Sequence, residues 1–240
     1  MDARTKLTDA WPLFGLRLRT EHLVLRMPTD DDLTELLQVA KAGIHPPGEM
    51  PFGVAWTSLK GASFDRGFMQ HYWGTRATFS PENWFLNLMV ELDGRPIGAQ
   101  SVNAEGFPTF RTVHTGSWLG REYQGRGLGK EMRAAVLGFA FDGLGAQVAT
   151  TGAFLDNGPS TGVSRALGYE EDGFDSLAPQ GIARGIQRFR MTAEGWRSRP
   201  RPALAIEGLD GILDLFGAAQ PTETRSRRPR RRPHHPTHRR

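Results

Sequence analysis

The 240-residue sequence contains no cysteine. That absence excludes disulfides, thiolate zinc sites and a cysteine nucleophile, so catalysis would have to use other side chains or the backbone. The histidines form no HExxH pair, and no metal is therefore expected. No apolar run approaches the roughly 18 residues of a membrane span, and the N-terminus lacks the charged-then-apolar order of a secretory signal. These absences predict a cytoplasmic protein without membrane contact.

Lysine is scarce, since only four of the 30 basic residues are lysines, a bias typical of GC-rich bacterial genomes. The formal net charge is +4, but residues 225–240 hold eight arginines and no acid. Subtracting those eight charges leaves −4 for residues 1–224. The basic character therefore belongs to the tail and does not indicate a nucleic-acid-binding core.

The length suits one domain with an appendage. We assign residues 1–198 to the domain, 199–219 to a linker with a short docked helix, and 220–240 to a tail rich in Arg, Pro and His. The tail has almost nothing apolar to repay ordering entropy, so we expect it to be disordered. Its arginines suit weak, non-specific contact with nucleic-acid phosphates, although such runs are also typical of solvated extensions.

Apolar periodicity predicts strands first and then strands alternating with helices. An Asp93-Gly94 pair between two apolar runs is a hairpin signal. This succession predicts an α/β (α+β) fold with a mixed, mostly antiparallel sheet of six to seven strands and helices on both faces. The predicted strands are residues 16–26, 84–92, 95–104, 112–119, 147–155, 169–176 and 183–192.

Three alternating glycines stand between a predicted strand and a predicted helix, in the run Gln124-Gly125-Arg126-Gly127-Leu128-Gly129. Such spacing lets successive N–H groups point into one concavity, and the positive end of the helix dipole completes a pyrophosphate site without a metal. Arg126 and Lys130 add positive charge. The glycine count alone leaves open a turn without a ligand.

Two other phosphate loops do not fit this run. A P-loop ending at Gly129-Lys130 would need Gly at 124 and Ser or Thr at 131, where the chain has Gln124 and Glu131. A dinucleotide fingerprint needs G-x-G-x-x-G at the start of a parallel βαβ unit, whereas the spacing here is G-x-G-x-G after a β-meander. Neither nucleotide fold is expected.

The loop is similar to the acyl-CoA loop of GNAT acetyltransferases, whose pattern Q/R-x-x-G-x-G/A is matched by Gln124, Gly127 and Gly129. A second segment, 156–169, resembles the family's Asn-capped helix that ends in a Leu-Gly-aromatic triplet. The resemblance covers about residues 16–196 and leans toward the RimJ/RimL-like branch, which acylates ribosomal-protein N-termini and small amines. It implies an acyl-CoA N-acyltransferase with two splayed central strands.

The resemblance also implies where acyl-CoA binds. The strand ending at residue 119 would pair through its backbone with the pantetheine amides, and the glycine loop would hold the pyrophosphate. The expected cofactor-binding residues are Ser117, Trp118, Leu119, Gln124, Gly125, Arg126, Gly127, Leu128, Gly129, Lys130 and Asn157.

For the catalytic acid the resemblance favours Ser160, because the family often places a hydroxyl donor near the start of this helix. The alternative is that Asn157 caps the helix and Ser160 only satisfies a first-turn amide. Other members use a tyrosine there, and residues 157–167 contain none. His114, on the strand leading to the splay, is the candidate base, with proton removal through ordered water as the alternative. His45 and Glu49 are candidates for amine recognition.

The expected donor is acetyl-CoA or another short acyl-CoA. The N-terminal pattern WPLFGLRLRT also resembles actinobacterial relatives that favour succinyl-CoA, which implies arginines near the thiol as carboxylate clamps. The expected acceptor is the primary amine of a small molecule or a protein N-terminus. Dimers are common in the family, so the resemblance also implies a homodimer. A non-catalytic acyl-CoA-binding sensor is the rival hypothesis.

Overall fold

A computed structural model describes residues 3–218; the predicted tail at 220–240 lies outside the described residues. None of the helices in this part of the chain combines the length and apolarity needed to cross a bilayer. The helices are α1 (Ala3–Ala10), α2 (Asp30–Ala42), α3 (Gly61–Ala77), α4 (Phe107–Phe110), α5 (Leu128–Gly138), α6 (Gly158–Leu167) and α7 (Ala193–Arg197). The strands are β1 (Arg17–Arg19), β2 (Leu23–Arg26), β3 (Asn83–Leu92), β4 (Arg95–Glu105), β5 (Thr112–Leu119), β6 (Val148–Phe154), β7 (Glu170–Leu177), β8 (Arg184–Thr192) and β9 (Ala205–Glu207).

The strands form one sheet in the order β7-β8-β6-β5-β4-β3-β2-β1-β9. Every neighbouring pair is antiparallel except β5 and β6, which are parallel. The predicted fold class is confirmed. The sheet has nine strands rather than six or seven, because residues 16–26 form two strands and β9 adds another beyond β1.

The segment where we predicted a short docked helix has a different structure. It contains β9 and a 3₁₀ turn at Asp214–Phe216. Glycines at 208 and 217 adopt positive φ angles of 75° and 60°, which an α-helix does not allow. Ile212 and Phe216 of this segment are nevertheless completely buried. The Phe216 ring lies 4.9 Å from Trp84 and 5.6 Å from Phe139, centroid to centroid.

Helices cover both faces of the sheet, as predicted. Helix α5 packs with the larger core on one face, and α2 and α3 pack with a second core on the other. Because strand side chains alternate between faces, Val113 and Leu119 of β5 enter the α5 core while Trp118 packs against the α2–α3 core. We call the face of the sheet covered by α5 the α5 face, and the face covered by α2 and α3 the α2–α3 face.

Strands β5 and β6 pair only at their beginnings. The parallel register joins Thr112, Val113 and His114 to residues 148–150. Beyond His114 and Thr150 the two strands part, so residues 115–119 and 151–154 border a gap in the middle of the sheet. This gap is the splay that the family resemblance predicts.

A buried ion network fastens α2 to the sheet. Thr29 and Asp32 form a capping box at the start of α2, and Arg26 of β2 donates to Asp32 at 2.8 Å and to Glu91 of β3 at 2.6 Å. Arg26 is only 7% exposed. Burial opposes ionisation of Asp32, but hydrogen bonds from Arg26 and Thr29 outweigh it and lower the pKa of Asp32 to about 2.

Candidate active site

The glycine loop at the end of β5 presents a run of unused backbone donors. Gly125 and Gly127 have φ angles of +72° and +82°, and α5 begins at Leu128. Within residues 3–218, no protein acceptor takes a hydrogen bond from the N–H groups of residues 125–129. The next two amides, of Lys130 and Glu131, donate to the Gly127 carbonyl. The free amides and the helix N-terminus fit an anionic diphosphate.

Gln124 holds this loop in place rather than pointing into it. Its Nε2 donates to the carbonyls of Leu119 at 2.8 Å and Ile44 at 2.7 Å. The side chain therefore ties the loop to the end of β5 and to the segment after α2. Arg126 and Lys130 are exposed beside the loop. Contact of these three side chains with a ligand stays a prediction.

The α6 end of the site is organised by Asn157, whose Oδ1 accepts from the Ser160 amide at 3.1 Å. Asn157 is thus a helix cap, and its contact with acyl-CoA stays a prediction. The Ser160 hydroxyl is half-buried and has no hydrogen-bond partner among the residues described. A Cβ added at Gly129 of α5 would lie 3.9 Å from Val163 of α6. Helix α6, with Ser160, therefore lies beside α5 on the same face.

His114 faces the opposite side of the sheet. Side-chain alternation along β5 sends it to the α2–α3 face with Trp118, and its Nδ1 lies 3.1 Å from Thr150 Oγ1. Desolvation by the surrounding protein disfavours the charged ring and lowers the pKa of His114 below its usual 6.5. The positive charge of Arg133 is the second cause. The imidazole is therefore neutral at pH 7. No hydrogen bond within residues 3–218 joins His114 to Ser160.

The two predicted amine-recognition residues lie on the loop after α2. Both ring nitrogens of His45 have protein partners, with Nε2 2.9 Å from Thr57 Oγ1 and Nδ1 3.0 Å from the Pro46 carbonyl. His45 thus links two parts of this loop, and its role in amine recognition stays a prediction. Glu49 is exposed, and its role stays a prediction.

Aromatic rings, which the sequence reasoning missed, form the wall between this loop and β5. Trp56 lies 5.2 Å from Phe52 and 6.0 Å from Trp118, centroid to centroid. At the edge of this wall, Arg184 of β8 donates to the Met50 carbonyl at 2.6 Å and to Asp156 at 2.7 Å. Arg184 thereby links β8 to the loop after α2. The α2–α3 face of the gap is therefore bordered largely by apolar rings.

The second feature that sequence reasoning missed is Arg133, which lies beneath the gap on the α5 face. Its Nη2 donates to Ser117 Oγ at 3.1 Å and its Nη1 to Thr151 Oγ1 at 3.3 Å. A usable signal was present: the helix continues Ala-Ala-Val-Leu-Gly-Phe-Ala-Phe after Arg133. A helix apolar on all sides is buried, so an arginine within it is buried too.

The comparisons agree with this geometry. A family model described as Acetyltransferase (GNAT) domain matches residues 22–170. That is more than half of the chain, which therefore belongs to the GNAT acetyltransferase family, as predicted. It is an acyl-CoA N-acyltransferase, and acetyl-CoA is the donor that GNAT acetyltransferases use.

Solved structures share the fold at low sequence identity. Mycobacterium smegmatis RimJ in complex with CoA-disulfide is 20% identical, with a TM-score of 0.62 over 85% of this chain and 94% of that one. RimL, a ribosomal L7/L12 alpha-N-protein acetyltransferase in complex with coenzyme A, is 17% identical with a TM-score of 0.60, over 72% and 95%. A spermidine N-acetyltransferase SpeG chimera from Vibrio cholerae and hSSAT is 15% identical with a TM-score of 0.58, over 75% and 100%.

Proposed function

We propose that this enzyme transfers an acetyl or other short acyl group from acyl-CoA to the primary amine of a small molecule or a protein N-terminus. The observation that carries the proposal is the run of five backbone amides at residues 125–129 that have no acceptor within residues 3–218, at the mouth of the gap between β5 and β6. When bound, acyl-CoA supplies the activated thioester. Residues 117–119 would pair with the pantetheine arm through their backbone, and residues 124–130 would hold the diphosphate.

We infer that the proton acceptor acts on one face of the gap and the proton donor on the other. The amine would arrive from the α2–α3 face, where neutral His114 can accept a proton from it. On the α5 face, the Ser160 hydroxyl has no partner among the described residues and can donate to the departing sulfur. The amine nitrogen forms a bond to the acyl carbon, the carbon–sulfur bond breaks, and the electron pair passes to sulfur. Acid and base therefore need not touch each other.

Isothermal titration of the wild-type protein with CoA, followed by a CoA-release assay with acetyl-CoA and a panel of amines, tests the proposal. Submicromolar to micromolar CoA binding and turnover with at least one amine are expected. Absence of CoA binding would overturn it. Binding without turnover on any amine would favour the acyl-CoA-binding sensor instead. Running the assay with succinyl-CoA in parallel tests the dicarboxylic donor.

The proposal also covers the assembly and location of the enzyme. We propose that it forms a homodimer and that it acts in the cytoplasm, where acyl-CoA and both classes of acceptor are found. The names of the structural neighbours, which specify a ribosomal protein and spermidine, support testing protein N-termini and polyamines first. Light scattering of the purified protein measures the assembly.

The role of His114 predicts a specific pH dependence. Its lowered pKa means that kcat/KM should fall only as the pH drops below 6.5, where the ring becomes protonated. His114→Asn should lower kcat/KM by about 100-fold, the usual scale of general base catalysis, and remove that acid limb. A variant that keeps the wild-type rate and acid limb would favour proton removal through water.

Ser160→Ala tests the proposed acid separately. The alanine keeps the amide that Asn157 caps, so the helix start and CoA affinity should be unchanged. We expect kcat to fall by about 10-fold or more, because the leaving sulfur loses its donor. Stopped assays for kcat and titration for CoA affinity give the two values. An unchanged kcat would mean that Ser160 is not the acid and only occupies the first turn of α6.

A further inference from the structure

Arg133 is a buried cation without an anion. It is 3% exposed, and no carboxylate within residues 3–218 forms an ion pair with it. Its hydrogen-bond partners are the neutral hydroxyls of Ser117, Thr151 and Tyr169, and among the described residues its Nε has no partner. The nearby Tyr169 adds no negative charge, since burial raises the pKa of its phenol. A desolvated, unpaired guanidinium is unfavourable for folding alone.

The position of the guanidinium suggests what compensates this cost. Ser117 is three residues beyond His114, the last residue of β5 that pairs with β6, and Thr151 is one beyond its partner Thr150. Arg133 therefore bridges the two strands where they have already parted. It approaches the gap from the α5 face, which is also the face of α6 and Ser160.

The hydrogen-bond directions leave a donor available at this point. Thr151 Oγ1 accepts from Arg133 and donates its own proton to the Thr115 carbonyl at 2.9 Å. Ser117 Oγ also accepts from Arg133, but among the described residues no acceptor takes the Ser117 proton. A hydroxyl that accepts a charge-assisted bond is a stronger donor to a third group. Arg133 and Ser117 together thus present positive charge and a proton to the gap.

We propose that Arg133 is a positioning residue that, through Ser117, stabilises the negative charge gathering on the donor sulfur as the carbon–sulfur bond breaks. This inference rests on the proposed function. Arg133 supplies the fixed positive charge, and Ser117 extends it by one hydrogen bond. The proton of the amine leaves on the other face of the sheet, so Arg133 itself exchanges no proton. A preorganised charge in a water-poor site is an effective form of transition-state stabilisation.

The test compares Arg133→Met, Arg133→Lys and wild type, with Arg165→Met as a matched control. Arg165 lies on the neighbouring α6 and is exposed, paired to Glu171. Arg133→Met should have an unchanged or higher Tm, because an apolar side chain suits a buried site better than an unpaired cation. Its kcat should fall about 100-fold with acetyl-CoA, while KM changes little. Arg133→Lys should recover part of kcat, and Arg165→Met should resemble wild type.

A second readout does not depend on turnover. The thiolate of bound CoA absorbs in the ultraviolet, so a pH titration of the complex gives the pKa of its thiol. Wild type should hold that pKa at least one unit below the value in the Arg133→Met complex, because a nearby cation favours the thiolate. Equal thiol pKa values would overturn the proposal.

Four other outcomes would also overturn it. A large fall in Tm for Arg133→Met would make Arg133 a structural link between β5 and β6. A loss of kcat confined to succinyl-CoA, with acetyl-CoA unaffected, would make it a carboxylate clamp. If wild type binds no CoA, the proposed function fails as well; if wild type binds and turns over CoA but Arg133→Met does so equally, only the role of Arg133 fails.

Discussion

Gly127→Asp is expected to weaken CoA binding by at least about 100-fold while the protein stays folded. Gly127 has a φ of +82°, and a Cβ there would meet no protein atom within 4 Å. Aspartate tolerates this conformation better than most residues, so the fold should accept it. The added carboxylate would point into the space proposed for the diphosphate, where like-charge repulsion costs several kcal/mol.

Gly145→Asp is the matched control for this experiment. Gly145 is also exposed, has a φ of +71° and offers open space to a Cβ. It lies between α5 and β6, away from residues 124–130. Both variants therefore place the same new charge at a glycine with a positive φ. Calorimetric titration should show near-wild-type CoA affinity for Gly145→Asp; equal affinities of the two variants would place the diphosphate elsewhere.

The second large effect is expected for Arg26→Met, which should lower the free energy of unfolding by about 3–5 kcal/mol. The substitution leaves Asp32 and Glu91 partly buried without their shared cation. Side chains of Asp32 and Glu91 are 21% and 13% exposed, so water cannot replace the lost contacts fully. Urea unfolding at pH 7 followed by circular dichroism measures the loss.

Acidification should reduce this difference between wild type and Arg26→Met. The folded-state pKa of Asp32 is about 2, below its ordinary 3.8, so its contribution is fully present above pH 3.8. That contribution should be lost as the pH falls from 3.8 toward 2.

Arg165→Met is the control variant. It breaks an exposed ion pair, in which the side chains of Arg165 and Glu171 are 60% and 51% exposed, and it should cost less than about 1 kcal/mol. A similar cost for both variants would contradict the argument.

The features that sequence predicted well are local in the chain. The glycine run, the Asn157 cap and the hairpin at Asp93-Gly94 each depend on neighbouring residues whose conformations the sequence restricts. The order of apolar runs likewise gave the fold class and the two covered faces, because period and face are properties of single elements.

The features that sequence missed join residues far apart. Arg133 reaches β5 and β6, Arg184 joins β8 to the loop after α2, and β9 pairs with β1. Nothing near each residue in the chain identifies its partner. His45 likewise has a partner that its neighbours in the chain do not identify, since its Nε2 lies 2.9 Å from Thr57 Oγ1, twelve residues later. Its role in amine recognition stays a prediction.

The edge of the sheet has a consequence for how the protein is made. β1 is paired on one side by β9, and Trp84 is covered by Phe216, so early and late parts of the chain complete the same core. A nascent polypeptide on the ribosome cannot form these contacts until residues 205–216 have been synthesised. Translation would therefore leave the apolar surface around Trp84 open until then, and exposed apolar surface of this kind favours aggregation.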